Sequence, residues 1–287
     1  MKYCVLNKDY QRRIVLKTKE KLKCGGFRGL AKKLNISKTT LLRYYNGEAK
    51  IPYYFYNKLS RIIKIKENPK LMEISHTRKE ILKPILDKYL SEFLGIMAGD
   101  GHVSGISYEV SVTGHMVYDR GFITKHVVPL FIKLFDILPS IQIQHEYNKI
   151  KCLVYSKKMV DFLNQNYNLP IGSKDNKLRI PQKILNDRNL VISFIRGVFD
   201  TDGSFHRHHE KDAAIELISG DKRFLNDLYL SLKLLNFHPS IGTKRLFLYR
   251  KDEIDKFFNV IKPANTKHLK KYQIYKNTGK VPLLKRR

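Results

Sequence analysis

The chain has 287 residues, with 55 Lys plus Arg against 26 Asp plus Glu, and its formal net charge at pH 7 is +29. A charge this far from neutrality predicts a polyanionic partner, either nucleic acid or an anionic membrane surface. No apolar run of about 18 residues and no signal peptide occurs, which argues against the membrane and predicts a cytoplasmic, intracellular protein. Cys4, Cys24 and Cys152 have no CxxC spacing, so neither a disulfide framework nor a zinc site is indicated.

Residues 1–65 are expected to form a small all-α domain. Two short helices about a tight turn are predicted over residues 27–44, with Ser37 placed to cap the second helix. This segment resembles a helix-turn-helix of the Cro and repressor type, although Asn35 stands where that family favours glycine. The resemblance implies that the second helix enters the major groove of DNA through Lys38, Thr39, Thr40 and Arg43. The alternative is a generic helical bundle with a basic face.

Residues 66–89 are predicted to be a linker. Their polarity rises, and two prolines, Pro69 and Pro84, interrupt the segment. Proline removes a backbone donor and clashes with the preceding helical turn, so Pro84 forbids one continuous helix here.

One pattern then occurs twice, over residues 93–101 and 195–203. Each copy is a short apolar helix pattern that ends in Asp-Gly. Small residues recur four positions apart on each predicted helix, as Gly95 with Gly99 and as Gly197 with Thr201. Each helix therefore has a face on which a second backbone could approach closely.

The two copies end in Asp100 and Asp202, and packing of the two helices would bring these carboxylates together. Two carboxylates repel each other unless a cation or a shared proton relieves them. In a strongly basic chain the expected cation is Mg²⁺, or Mn²⁺ in its place, because such ions bind carboxylate oxygens and take further oxygens from a phosphodiester. The pattern predicts metal-assisted strand cleavage with both aspartates as catalytic metal ligands.

The doubled pattern resembles the LAGLIDADG family of homing endonucleases in its two-repeat, single-chain form. The resemblance implies an α+β fold with two pseudo-twofold-related αββαββα repeats and antiparallel, saddle-shaped sheets, preceded by the all-α helix-turn-helix domain. The repeats are expected at residues 90–188 and 189–287, in a monomer with internal pseudo-twofold symmetry. Asp100 and Asp202 match the metal ligand of the family motif, and cleavage of double-stranded DNA would leave 3′ overhangs. The sixth motif position is Ala98 in one copy and Asp200 in the other, and Asp200 is not assigned as a ligand.

The duplication extends beyond the motifs. Residues 122–135 align with residues 224–237 at the same offset as the two aspartates, and residues 153–157 align with residues 247–251 after a shorter loop. A repeat of this length indicates two related units, each too small to bury its motif helix alone.

Alternating apolar and polar residues predict strands at residues 107–113 and 141–147. Ile141 and Ile143 are expected to face the helices, and so are Ile150, Cys152 and Val154 of the next strand. Outward side chains are expected to contact the DNA groove, where Gln can pair with adenine and Lys or Arg with guanine. These predicted contacts are Gln142, Gln144, Lys149, Lys151 and, in the second repeat, Arg245. The alternative is a solvated sheet face.

Three further segments carry cations or histidines. The connector at residues 169–181 resembles the one that precedes the second motif in archaeal and intein-borne members, and it places Lys174 or Lys177 near the DNA backbone unless it is a solvated loop. The tail at residues 265–272 resembles the end of such domains, and its lysines would stabilise charge at the scissile phosphates. His206, His208 and His209 lack a partner acid or cysteine at ligand spacing, so a phosphate contact by His206 is favoured over zinc.

Two other functions use the same features. A DNA-binding transcriptional regulator can be built from this fold together with a helix-turn-helix, and an RNA-splicing maturase uses the same basic surfaces. Retention of both motif acids favours the nuclease. Protein splicing is not expected, because an intein requires a nucleophile at its first residue and a terminal His-Asn pair, whereas this chain starts at Met1 and ends at Arg287.

Overall fold

The computed structural model describes residues 2–65, 69–73, 81–208 and 213–282. The chain divides into two compact units, an N-terminal unit at Met1–His76 and a C-terminal unit at Thr77–Arg287. Each unit has its own apolar core.

Over its described residues, the N-terminal unit consists of four helices and a two-stranded antiparallel sheet. Its elements are β1 (Lys2–Cys4), α1 (Lys8–Lys21), α2 (Phe27–Leu34), α3 (Lys38–Tyr45), α4 (Tyr53–Ile63) and β2 (Leu71–Glu73). The turn between α2 and α3 has Asn35 in the left-handed region at φ 55°, a conformation that Asn tolerates better than most residues. The Ser37 hydroxyl accepts a hydrogen bond from the backbone N–H of Thr40 at 3.0 Å and so caps α3.

Two described parts of the predicted linker, residues 66–89, pack with the units on either side of it. Strand β2 lies inside that range and pairs with β1, at the other end of the N-terminal unit, with Tyr3 opposite Met72. Ile81 is buried in the core of the C-terminal unit. Strand β1 supplies the backbone hydrogen-bond partners of β2, and it is distant from β2 in sequence. The positions of prolines and the local polarity carry no information about such a distant partner.

The C-terminal unit combines helices with two four-stranded antiparallel sheets. Its first half contains α5 (Lys88–Ala98), β3 (Gly101–Val103), β4 (Glu109–His115), α6 (Arg120–Phe122), a π-helix (Ile123–Val127), α7 (Val128–Phe135), β5 (Ser140–Gln144), a 3-10 turn (His145–Tyr147), β6 (Lys149–Tyr155) and α8 (Lys157–Tyr167). Its second half contains α9 (Gln182–Leu185), α10 (Arg188–Asp202), β7 (Gly203–Arg207), β8 (Ala213–Ile218), α11 (Lys222–Leu234), β9 (Ser240–Ile241), β10 (Arg245–Leu248), α12 (Lys251–Ile261) and α13 (Thr266–Thr278).

The sheets have the strand orders β3-β4-β6-β5 and β7-β8-β10-β9. In each half the motif helix, α5 or α10, leads directly into the first strand of its sheet. The apolar inner faces of the sheets pack with the helices in one continuous core. Mixed helices and antiparallel sheets agree with the predicted α+β class.

Strand β6 has the predicted orientation, since Ile150, Cys152 and Val154 are buried. Ile141 and Ile143 also lie on the predicted inward face, opposite the buried residues Cys152 and Ile150 of β6, but each is 38% exposed. Strand β5 is the edge strand of its sheet, and all five of its residues are exposed. Sequence alternation predicts which side chains share a face, but it does not predict whether the helices extend far enough to cover the edge.

Candidate metal and nucleic-acid site

The two motif helices, α5 and α10, pack backbone against backbone. A Cβ atom added at Gly95 would lie 2.1 Å from the carbonyl oxygen of Phe194, and one added at Gly197 would lie 2.2 Å from that of Glu92. Only glycine permits this approach at these two positions. Gly99 lies against Thr201, whose hydroxyl donates to the carbonyl oxygens of Gly197 and Val198 at 2.9 and 3.0 Å.

This packing brings the two motif acids to the same end of the helix pair. Asp202 is the last residue of α10, and its carboxyl carbon would lie 3.4 Å from a Cβ atom at Gly99, the residue before Asp100. Burial, together with the neighbouring charge of Asp202, raises the pKa of Asp100 to about 7. Burial also raises the pKa of Asp202. The two carboxylates are thus held close to each other with little access to solvent.

Two lysines, Lys174 and Lys267, lie beside the acids. The Lys174 ammonium group donates to the carbonyl oxygens of Ala98 and Gly99 at 3.0 and 2.5 Å, and burial lowers its pKa while Asp202 and Asp100 oppose that shift. Lys267 pairs with Asp119 at 2.9 Å. Of the two cations, Lys267 lowers the pKa of Asp100 more and Lys174 lowers that of Asp202 more. The order of these effects associates Lys267 with Asp100 and Lys174 with Asp202, and Lys174 and Asp202 line the same pocket.

These positions differ in part from those expected from the sequence. The predicted phosphate contact Lys174 is half-buried at the motif acids, whereas Lys177 is exposed. Lys267 was not among the predicted site residues, although it lies in the tail segment whose cations were expected near the scissile phosphates. One feature of the sequence could have identified Lys267. Lys174 and Lys267 each follow a proline by four residues, Pro170 in the connector and Pro263 in the tail.

A network of buried polar side chains joins the two halves beside Asp100. The Asp200 carboxylate is 1% exposed and accepts hydrogen bonds from the backbone N–H groups of Ala264 and Asn265 at 2.8 and 2.9 Å. The Asn265 side chain donates to the carboxylate of Asp119 and to the carbonyl of Asp200, both at 2.9 Å. Burial raises the pKa of Asp200 to about 7, and the two backbone hydrogen bonds oppose that shift.

The two motif carboxylates fit a hard divalent cation. Both offer carboxylate oxygens, and both have raised pKa values because they are desolvated, a situation that a bound cation relieves. In the parts of the chain that the structure describes, no group of three or more His, Cys, Asp or Glu side chains could hold a metal. A cation at Asp100 and Asp202 would thus complete its coordination with backbone, water or substrate oxygens.

Each sheet carries one carboxylate that holds the predicted DNA-contacting cation of its third strand. In the first sheet Glu109 pairs with Lys151 at 2.6 Å and accepts a hydrogen bond from Ser111 at 2.8 Å. In the second sheet Glu216 pairs with Arg245 at 3.0 Å. Ser204 donates to Glu216 at 3.1 Å and also contacts a ring nitrogen of His206 at 2.9 Å.

The remaining predicted contacts of the first sheet lie on its exposed edge. Gln142 and Gln144 are exposed on β5, opposite Lys151 and Lys149 of β6. Of the histidines that follow the second motif, His206 is half-buried, and burial lowers its pKa. His208 stacks near Tyr249, with ring centroids 4.6 Å apart. His209 lies outside the described residues.

The predicted recognition residues of the N-terminal unit lie on α3. Lys38, Thr39 and Arg43 are exposed, and Thr40 is half-buried with its hydroxyl 2.8 Å from that of Ser37. These residues form a basic and polar surface of the N-terminal unit.

A comparison with known protein families finds a match within the second half of the C-terminal unit. Residues 189–262 match the family described as LAGLIDADG-like domain, a stretch that contains Asp200, Asp202 and the second sheet. Among individual relatives, the replication factor C small subunit of Methanocaldococcus jannaschii is 30% identical over 144 residues, which are 50% of this chain and 7% of that protein. The chain thus spans less than a tenth of the length of this curated relative.

Several solved structures also resemble the chain. Mesophilic variants of the homing endonuclease I-DmoI align over 61% of this chain and 94% of theirs, with 20% identity and a TM-score of 0.44. The complex of I-DmoI with DNA and Mn covers 61% and 96%, with 19% identity and a TM-score of 0.43. Full-length WhiA from Thermatoga maritima covers 68% of this chain and 63% of its own, with 17% identity and a TM-score of 0.45.

The sequence predicted no membrane association. None of the helices within the described residues is both long enough and apolar enough to cross a membrane.

Proposed function

We propose that this protein is a site-specific endonuclease of the LAGLIDADG type, which hydrolyses both strands of double-stranded DNA at a long target site and leaves 3′ overhangs. The observation that carries the proposal is the pair of desolvated carboxylates, Asp100 and Asp202, at the end of two glycine-packed helices, with two lysines beside them. The family match over residues 189–262 supports it.

The chemistry is assigned to four side chains. Asp100 and Asp202 would hold Mg²⁺ or Mn²⁺, which supplies Lewis-acid activation of water and of a phosphodiester oxygen when it is bound. Lys174 and Lys267 place positive charge where negative charge develops on the phosphate. Desolvation strengthens each of these interactions, because the effective dielectric constant falls away from bulk water.

DNA recognition is assigned to the two sheets and to the N-terminal unit. On the sheets, the proposed contacts are Gln142, Gln144, Lys149, Lys151, His206 and Arg245, with Lys177 of the connector at the DNA backbone. The two halves would act as pseudo-twofold-related repeats of one monomer, consistent with their matching strand orders. The N-terminal unit would act as a helix-turn-helix, with Lys38, Thr39, Thr40 and Arg43 in the major groove of the same duplex or of a separate one.

The first experiment separates binding from cleavage. The protein would select sequences from a random duplex library in Ca²⁺, and Mg²⁺ would then be added to look for cut ends. Cleavage of both strands supports the endonuclease. Tight, specific binding with intact DNA would instead support a transcriptional regulator, and selective binding of a folded intron RNA would support a maturase.

Asp100→Asn and Asp202→Asn should each abolish double-strand cleavage of the selected target and leave its affinity in Ca²⁺ within about tenfold of wild type, or about 1.4 kcal/mol. Each substitution removes a charged ligand but keeps the shape of the side chain. Asp136→Asn is the matched control, because Asp136 is exposed at the end of α7 in a left-handed conformation that Asn also tolerates. Loss of binding in the motif variants, with cleavage per bound complex unchanged, would show that these acids are structural.

A further inference from the structure

One buried carboxylate has no part in the proposed chemistry. Asp200 is 1% exposed, occupies the sixth position of the second motif, and contacts the tail segment through its carboxylate. Both of its oxygens are engaged by backbone N–H groups, those of Ala264 and Asn265. A buried carboxylate held by two backbone donors fixes the position of the segment that carries them.

That segment leads directly to Lys267. Asn265, which is fully buried, caps α13 by accepting a hydrogen bond from the backbone N–H of Lys267 at 3.2 Å. The Asn265 amide and the Lys267 ammonium group both donate to the same oxygen of Asp119, at 2.9 Å each. The second oxygen of Asp119 accepts from the backbone N–H of His115 at 2.9 Å. Lys267 is thus held through an unbroken series of contacts that begins at Asp200.

The first motif has no counterpart to this arrangement. Ala98 occupies the equivalent position, and its carbonyl oxygen accepts the Lys174 ammonium group directly. The residue equivalent to Asp119 in the second half is Asp221, which caps α11 through the N–H groups of Arg223 and Phe224 and accepts from that of Leu178. The two ammonium groups therefore have different partners, the Asp119 carboxylate for Lys267 and helix-end carbonyls for Lys174.

We propose that Asp200 is a positioning residue for only one of the two cleavage reactions: it holds Lys267 beside Asp100 through Ala264 and Asn265, and it leaves the reaction beside Asp202 and Lys174 unaffected. This inference rests on the endonuclease function proposed above. It implies that hydrolysis of the two DNA strands depends on different residues, so that one substitution can convert the enzyme to a nickase without touching a metal ligand.

The test is strand-resolved cleavage in Mg²⁺ by the full chain. The selected duplex carries a different fluorophore on each strand, and single-turnover rates are measured for Asp200→Asn, Lys267→Met and Lys174→Met. Asp200→Asn replaces one acceptor oxygen with an NH₂ group that faces a backbone donor, so it should slow one strand by about 10- to 100-fold and the other by less than about threefold. Lys267→Met should slow the same strand, and Lys174→Met the opposite one.

Double variants distinguish a loss of Lys267 positioning from general damage to the folded structure. Because Asp200 acts through Lys267, adding Asp200→Asn to the Lys267→Met variant should slow cleavage by less than about a further threefold. Adding Asp200→Asn to the Lys174→Met variant should leave both strands slowly cleaved. Affinity in Ca²⁺ and the unfolding midpoint show whether each variant is folded. If Asp200→Asn does not fold, Asp119→Asn removes the partner of Lys267 directly and should slow the same strand.

The outcomes separate this inference from the function on which it rests. A wild-type protein that binds its target and cuts neither strand in Mg²⁺ overturns the endonuclease and this inference together. The inference alone is overturned if the wild-type protein cuts both strands and Asp200→Asn slows the two strands equally. It is likewise overturned if Asp200→Asn keeps its full effect on the rate in the Lys267→Met variant.

Discussion

Gly95 and Gly197 determine how closely the motif helices approach. An added Cβ atom at either position would meet a backbone carbonyl oxygen of the opposite helix, and a backbone cannot move aside as the end of a flexible side chain can. Their close approach also allows the Ser91 hydroxyl to donate to the Leu190 carbonyl at 2.7 Å. The geometry at Asp100 and Asp202 therefore depends on the absence of two side chains.

Gly95→Ala and Gly197→Ala should each lower the free energy of unfolding by about 3 kcal/mol, because overpacking forces the helices apart. Urea unfolding in the absence of DNA measures the change. Gly121→Ala is the control, since its added Cβ would meet the Thr266 hydroxyl at 3.8 Å, an ordinary contact. Equal stability of all three variants would mean that the helices are less closely packed than described.

The burial of His268 affects how the stability of the protein depends on pH. Its ring packs at a tilt against Phe199, with centroids 4.5 Å apart, and neither ring nitrogen has a hydrogen-bond partner among the residues that the structure describes. Burial, with the charges of Lys267 and Lys271, holds the pKa of His268 well below its usual value of 6.5. The folded protein thus keeps this ring neutral at pH values where the unfolded chain takes up a proton.

Stability should therefore fall as pH decreases from about 6.5 toward 5, by up to about 1.4 kcal/mol per pH unit for this single group. His268→Phe keeps the aromatic contact and removes the proton, so the variant should lose less stability than wild type over that range. Unfolding midpoints at several pH values test this, with exposed His145→Gln as the control. A variant as acid-sensitive as wild type would contradict the assignment.

At the scale of the element, each sheet pairs one of the predicted DNA-contacting cations with a carboxylate. Glu216 is 5% exposed beneath Arg245 and shares its carboxylate with Ser204. The acid limits the rotamers of Arg245 and repels phosphate, so the pair favours contacts with base edges over contacts with the DNA backbone. Glu109 holds Lys151 in the same way on the first sheet.

Glu216→Gln should release Arg245 to meet a phosphate. Affinity for nonspecific duplex should rise, and the slope of log affinity against log salt concentration should steepen by about one unit, as one added phosphate contact requires. Fluorescence anisotropy over a salt series measures both quantities. The double variant Glu216→Gln/Arg245→Gln should return the slope to that of wild type, and a steep slope in that double variant would assign the effect to another cation.

At the scale of the whole molecule, two units would share one polyanionic partner. The N-terminal unit presents the exposed residues Lys38 and Arg43 on the short helix α3. The whole chain has a net charge of +29. If the N-terminal unit binds DNA as proposed, it would add to the affinity of the protein for DNA.

Lys38→Ala/Arg43→Ala should reduce the salt slope of DNA binding by about two units and leave the cleavage rate at saturating DNA unchanged. Lys17→Ala/Lys21→Ala removes two exposed lysines of α1 and is the matched control, for which the slope should stay near that of wild type. An unchanged slope in the α3 variant would favour a helical bundle that does not bind DNA.

The doubled motif, its final acids and the inward face of β6 follow from the sequence, because helical and strand periodicity are local properties of the chain. The tail lysine Lys267, the role of Asp200 and the exposure of β5 required the tertiary structure. Asn265 and Asp119 are 146 residues apart in sequence, and nothing local marks them as partners. Sequence determined which side chains are available for chemistry, whereas packing of the two halves decided which of them meet.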